Sequence, residues 1–249
     1  MHTTETIEQP LEAHLNRQLE RSRDFFWNRL RWNLIASQIP SGQRQVVDVG
    51  AGPGFLGDYL KRHRPEIEYG YVEPIEGLER SLSERFGAGA NRRERDFPDA
   101  SHVTLLDVLE HQEDDREFLT ELAGKMSPGA KLLLTVPAMP WLWSEWDALL
   151  GHYRRYTKPM LSEVVRSLPF ELVEQSYIFP ELIPAGMVRR LRMRAGSQTR
   201  IAADPAAAEF PDLSPRLDQA LYRIGGASIR MRRLWPCGTS LFAVLSRSA

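Results

Sequence analysis

The chain has 249 residues, 42% hydrophobic and 26% charged, with 33 acidic against 32 basic side chains. That profile excludes disorder and collagen-like repeats and fits an ordinary globular protein. One cysteine, Cys237, allows no internal disulfide and no CxxC zinc pair, residues 1–10 are polar, and the nearly apolar residues 132–143 are broken by Thr135, Pro137 and Pro140. A cytoplasmic protein that does not span a membrane is expected.

Residues 11–39 contain no Gly or Pro and predict a helix, stopped by Pro40-Ser41-Gly42. Residues 45–49 form a β-branched run that ends in Gly50-Ala51-Gly52-Pro53-Gly54 and is followed by a helix over 55–64. Strands are then expected at 67–72, 103–108 and 131–136, with helices at 75–86 and 114–126. Thr157 can cap a helix with Pro159 in its first turn, leading to a strand at 170–179, and 238–246 reads as the last strand. Alternating strands and helices imply parallel pairing in a doubly wound α/β sheet.

Residues 180–236 are too long for a connection between the last two strands and read as an insertion, with helices at 184–195, 216–221 and 228–234. The expected organisation is a helical cover at 1–40, a core at 41–179 and 237–249, and a helical cap at 180–236. From Gly186 onward there are 11 Arg, no Lys and four acids, about +7 against about −8 before it. This third reads as a face for an anion or as a solvated surface.

The glycine cluster lets the backbone turn sharply at the tip of the first strand, where the next helix presents free N–H groups. Gly52-Pro53-Gly54-Phe55-Leu56-Gly57 matches the GxGxxG dinucleotide pattern. Asp48 stands before it, where a carboxylate is unwelcome to a pyrophosphate and acceptable to a cationic sulfonium. Asp48-Val49-Gly50-Ala51-Gly52-Pro53-Gly54 thereby resembles the first motif of the class I S-adenosylmethionine-dependent methyltransferases. Val103 to His111, ending in Asp107-Val108-Leu109-Glu110-His111, is similar to that family's fourth-strand motif, and Ser127-Pro128-Gly129-Ala130-Lys131-Leu132 to its fifth, with Ala130 for the usual glycine.

The resemblance implies a mostly parallel, seven-stranded sheet and S-adenosylmethionine as cofactor, released as S-adenosylhomocysteine. It implies contacts from Asp48, Gly50, Gly52 and Gly54, and from Glu73, 19 residues past Gly54, to the ribose hydroxyls. Asp96 and Phe97 are implied at the adenine, and Asp107, Val108 and Leu109 at the methionine end. Trp27 and Arg31, in an aromatic and Arg-bearing helix, would fold over the cofactor, Arg31 meeting the methionine carboxylate or the surface.

The loop after the fifth strand of the family pattern should cover the substrate, since ligands bind beyond the carboxyl ends of such strands. Trp141, Trp143 and Trp146 suggest an apolar wall or local packing, and Gly151-His152-Tyr153-Arg154-Arg155-Tyr156 resembles a bacterial subgroup linked to glycan or lipid pathways. His152, oriented by Asp147, is the expected base for a hydroxyl acceptor. Tyr153, Arg154, Arg155 and Tyr156 are expected at the substrate, the arginines on an anionic group or fastening the loop. His111 reads as a base, a cofactor neighbour or a packing residue. Glu110 with His111 alone is poor ground for a metal, and none is expected.

The expected reaction is O-methylation of a small-molecule, glycan or lipid-linked acceptor. The apolar residues beside Arg189, Arg190, Arg192 and Arg194 suit an anionic membrane at its inner face, a pocket lid or a dimer contact. Rival readings are an NAD-dependent oxidoreductase, an RNA-binding protein or RNA methyltransferase, and a non-catalytic scaffold; a nucleic-acid partner is not expected, because no N-P-P-Y motif follows the fourth strand.

Overall fold

The computed structural model describes residues 25–42, 44–93, 95–194 and 213–249, without the side chains of 145, 146 and 192–194. The expected helix before Phe25 and the middle of the insertion therefore lie outside the described residues. β1 (Arg44–Val49), β2 (Ile67–Val72), β3 (His102–Leu106) and β4 (Lys131–Pro137) pair in parallel. β6 (Ser240–Arg247) runs antiparallel between β4 and β5 (Phe170–Ile178), giving the order β2-β1-β3-β4-β6-β5.

The mostly parallel, doubly wound sheet is as expected, but among the described residues it has six strands rather than seven. At the edge beside β2, one parallel bridge between Tyr71 and Asn91 stands where a seventh strand would pair. The segment there, Gly87-Ala88-Gly89-Ala90-Asn91-Arg92-Arg93, carries no β-branched or aromatic run to pack against helices. β3 also stops two residues short of the expected 108, because Asp107 adopts φ 56° and turns the chain out of the sheet.

Helices cover both faces. On one lie α1 (Phe26–Gln38) and α2 (Phe55–His63), and β4 contributes Leu133 to the cluster that holds Leu30, Ile35 and Leu60. On the other, Leu132, Leu134 and Val136 join Leu119 and Leu122 of α4 (Asp115–Lys125) and Leu161 of α6 (Lys158–Val165), the short α5 (Glu145–Leu149) preceding α6. Earlier in the chain, α3 (Glu76–Phe86) lies against α2, its Arg85 paired with Asp58. Each fully buried leucine contributes about 1.5–3 kcal/mol. Asp114 accepts from the Arg116 and Glu117 N–H groups at the start of α4, and Thr157 caps α6 as expected.

α7 (Ile183–Arg194) and α8 (Pro215–Arg230) fill the insertion. The two helices expected at 216–221 and 228–234 are one, followed by a 3-10 turn at Arg232–Leu234. Gly225-Gly226 reads as a break in sequence, yet a Cβ on Gly225 would lie 2.5 Å from Leu30. The glycine thus permits close approach of α8 to α1 rather than ending a helix. Asp218 of α8 accepts the Phe26 N–H at 2.9 Å and pairs with Arg29, so it caps α1 from another element. Among the described residues no helix is long and apolar enough to cross a membrane.

Candidate active site

The turn after β1 is built from three left-handed glycines, Gly50 (φ 70°), Gly52 (φ 53°) and Gly54 (φ 74°). At Gly50 a Cβ would sit 2.5 Å from Val108, so the tip of β3 is in contact with the turn. Glu73, 2% exposed at the tip of β2, accepts the Gly52 N–H at 2.6 Å and the Ile75 N–H at 2.9 Å. Burial raises its pKa against those two bonds. Asp48 lies beneath the turn, accepting from Thr104 Oγ1 at 2.6 Å and Tyr69 OH at 3.0 Å; burial lifts its carboxyl to about 6.

At the tip of β3, Asp107 Oδ2 meets Arg31 at 2.8 Å, and Thr135 of β4 donates to Asp107 Oδ1 at 3.0 Å while accepting from Arg31 at 3.2 Å. The Arg31 guanidinium lies 4.3 Å from the Trp27 ring, and its buried Nε has no hydrogen-bond partner. α1 thus delivers Trp27 and Arg31 over the ends of β3 and β4.

Two residues beyond Val108, the 3-10 turn Leu109–His111 buries Glu110 completely. Neither carboxylate oxygen of Glu110 has a hydrogen-bond partner, and burial, reinforced by Asp107 and Asp147, pushes its pKa well up. The loop after β4 returns to it: the Tyr153 N–H donates to Glu110 O at 2.7 Å, placing His152 Nε2 4.0 Å from Glu110 Oε1. The His111 and His152 rings meet edge to face at 4.7 Å. Burial and the neighbouring His152 hold His111 down at about 4.

Asp147 is fully buried and brought to His152, Oδ1 lying 3.1 Å from Nδ1. The same oxygen accepts Arg155 Nε at 2.8 Å, and Oδ2 accepts from the Ser144 N–H and hydroxyl. These bonds outweigh desolvation and keep its pKa below the usual value. With Asp147 ionised, His152 donates to it through Nδ1, and Nε2 faces Glu110.

Other expected site residues are placed differently. Arg155 is engaged by Asp147 and Ala138 O, and Arg154 by Asp115 at 2.9 Å, so both guanidinium groups are fastened to the protein. Tyr156 is fully buried with its hydroxyl on Asp115 at 2.8 Å, and Leu109 is a core residue. Phe97 is 2% exposed and bridges Met126 just past the end of α4, which leads away from the strand tips; its ring is in the core rather than beside the turn. Asp96 is exposed. Trp141 and Tyr153 are exposed, at 44% and 48%, and Trp143 is half-buried; the Trp146 side chain lies outside the described residues.

Sequence reasoning passed over Thr104, Tyr69 and Thr135, whose roles depend on strand register. It also set Glu110 aside, although an acid directly after a buried strand is itself a signal. Arg189 of α7 was placed only in a basic cluster, whereas its pKa, lowered chiefly by burial, is also affected by Asp147 and Arg155.

An open α/β sheet with a glycine turn at the first strand tip, an acid at the second and a roof over the third defines a methyltransferase-type fold. Residues 11–175 match the family described as a methyltransferase domain. The match spans more than half of the chain, and the protein belongs to that family. The GxGxxG turn is accordingly read with the methyltransferases and not with NAD enzymes.

In fold the chain is similar to one from the Haloferax volcanii complex that contains the Trm112 methyltransferase activator, at 18% identity over 98% of both chains and a TM-score of 0.62. It is also similar to a SAM-dependent methyltransferase from Archaeoglobus fulgidus, at 16% identity over 88% of this chain and 93% of that one, TM-score 0.51. A third is Haemonchus contortus phosphoethanolamine N-methyltransferase 2, solved with S-adenosyl-L-methionine, at 15% identity over 90% of this chain and 53% of that one, TM-score 0.53. No curated protein matches significantly.

Proposed function

We propose that the protein transfers the methyl group of S-adenosylmethionine to a hydroxyl oxygen of a small-molecule, glycan or lipid-linked acceptor. The observation that carries this reading is the gathering of Glu110, His111 and His152 at the strand tips, next to the glycine turn. There Nε2 of His152, on a ring oriented by Asp147, is placed to take up a hydroxyl proton.

The residues present fit the cofactor. The glycine turn leaves backbone where a Cβ would enter Val108, and Glu73 offers a carboxylate to a diol. Arg31, with its orphaned buried Nε, and Asp107 form a charge pair matched to the carboxylate and ammonium of an amino acid. The cofactor supplies an electrophilic methyl on a sulfonium, displaced in line. Trp27 and Arg31 cover this end of the site, and α7 packs on the 3-10 turn Pro140–Leu142, where a Cβ on Gly186 would lie 3.4 Å from Leu142.

A lipid-linked acceptor is supported by the outer rim. Met187, Val188 and Leu191 of α7 are exposed, Leu191 at 61%, beside exposed Trp141. Apolar residues with neighbouring arginines suit the surface of an anionic bilayer. On this reading residues 180–236 are the cap that selects the acceptor.

The test is turnover with methyl-labelled S-adenosylmethionine on lipid and glycan fractions. The wild type labels an acceptor through oxygen, and His152→Ala keeps cofactor binding while losing turnover. Normal turnover in His152→Ala would remove the residue from the reaction. Vesicle flotation tests the rim: binding that does not depend on anionic lipid would end the membrane reading.

A further inference from the structure

The sequence offers Glu110 and His111 as a pair too small for a metal; the fold adds a third ligand from 41 residues further along. We infer that Glu110, His111 and His152 form a binding site for a divalent transition-metal ion. One ligand atom from each, a carboxylate oxygen and two imidazole nitrogens, lies within 4.8 Å of the others. A triangle of that side has its centre about 2.8 Å from each corner, against the roughly 2.1 Å of a Zn–N bond. Side-chain adjustments of about 0.7 Å therefore close the shell.

Two independent features point to a cation. Glu110 is fully buried, and neither of its oxygens has a hydrogen-bond partner, an arrangement that a bound cation resolves and an apolar neighbour does not. His152 carries the outer support typical of metal-bound imidazole: Nδ1–H on the Asp147 carboxylate, with Asp147 itself held by Arg155 and Ser144. That bond orients the ring so that Nε2 faces Glu110, 4.0 Å from Oε1. Two histidines and one carboxylate suit Zn²⁺, Mn²⁺ or Fe²⁺ more than Mg²⁺ or Ca²⁺, and three protein ligands leave a position open for an acceptor oxygen.

The binding claim stands alone; its catalytic use rests on the methyl transfer proposed above. With the ion bound, the His152 lone pair is a ligand and not a proton acceptor. An acceptor hydroxyl completing the shell then releases its proton to water at lower pH than it otherwise would. The new C–O bond forms as the C–S bond breaks, and the electron pair leaves on sulfur.

The experiment uses the untagged full chain, stripped with chelator and titrated with CoCl₂, MnCl₂ and ZnCl₂, with S-adenosylmethionine titrated in parallel. The inference predicts one Co²⁺ per chain with visible d–d absorption, displaced by Zn²⁺. Glu110→Gln and His111→Asn should each weaken binding at least 100-fold, and Asp147→Asn 10- to 100-fold. Wild-type protein that shows no stoichiometric Co²⁺ spectrum overturns the metal site, whether or not any variant folds; so does affinity unchanged in folded Glu110→Gln. If the ion fails to bind while S-adenosylmethionine binds, only this inference falls. If the ion binds and S-adenosylmethionine does not, the methyl-transfer reading falls and the site stands.

Discussion

Gly50→Ala is the sharpest structural test of the turn that the cofactor reading depends on. The new Cβ would start 2.5 Å from Val108 Cγ2 at a residue whose φ is 70°. Left-handed backbone costs an L-residue about 1–2 kcal/mol, and forcing a methyl into a packed contact costs about 1–3 kcal/mol more. A loss of about 2–5 kcal/mol follows on adding the two ranges. Val108→Ala alone, at a half-buried position, should lose about 1 kcal/mol. Combined with Gly50→Ala it removes the clash but not the backbone strain, so the double variant should be less destabilised than the sum by about 1–2 kcal/mol. Urea denaturation of the four proteins measures the cycle. Gly50→Ala within 1 kcal/mol of wild type, with strict additivity, would refute the packing of the β3 tip on the turn.

Asp48→Asn probes the buried acid beneath it, since an amide preserves both hydroxyl contacts. A folded pKa raised from 3.8 to about 6 contributes stability that is complete below pH 3.8 and lost as pH rises through 6, about 3 kcal/mol in all. The Asn variant should therefore gain on the wild type between pH 4 and 7, and a pH-independent difference would contradict this. Asp218→Ala removes the cap on α1, costing about 1–2 kcal/mol by denaturant melts and raising amide exchange at Phe26; unchanged exchange would contradict the cap. Arg31→Leu leaves Asp107 without its cation, costing about 2 kcal/mol and weakening S-adenosylmethionine; calorimetric affinity equal to wild type would place Arg31 outside the site.

The core strands were legible because residues 46–49 and 132–136, apart from Asp48 and Thr135, are apolar β-branched or leucine runs buried on both faces, a pattern independent of distant partners. α8 was not legible as one helix, since only the presence of Leu30 tells a packing glycine from a breaking one. The missing edge strand turns on the same point: the family resemblance supplies seven strands, while residues 87–93 lack the side chains to hold one. In the site, Asp147 and His152 are five residues apart and their pairing could be read locally. The approach of His152 to Glu110 depends on a loop returning from β4 to the tip of β3, which no local pattern encodes. Phe97 shows the converse, a residue in motif position that the chain path draws into the core.

The most direct test is calorimetric titration of the wild type and Glu73→Ala with S-adenosylmethionine, S-adenosylhomocysteine and NAD. The account predicts that the first two bind the wild type, that NAD does not, and that Glu73→Ala weakens both. Binding of NAD alone, or S-adenosylmethionine affinity unchanged in Glu73→Ala, would contradict it.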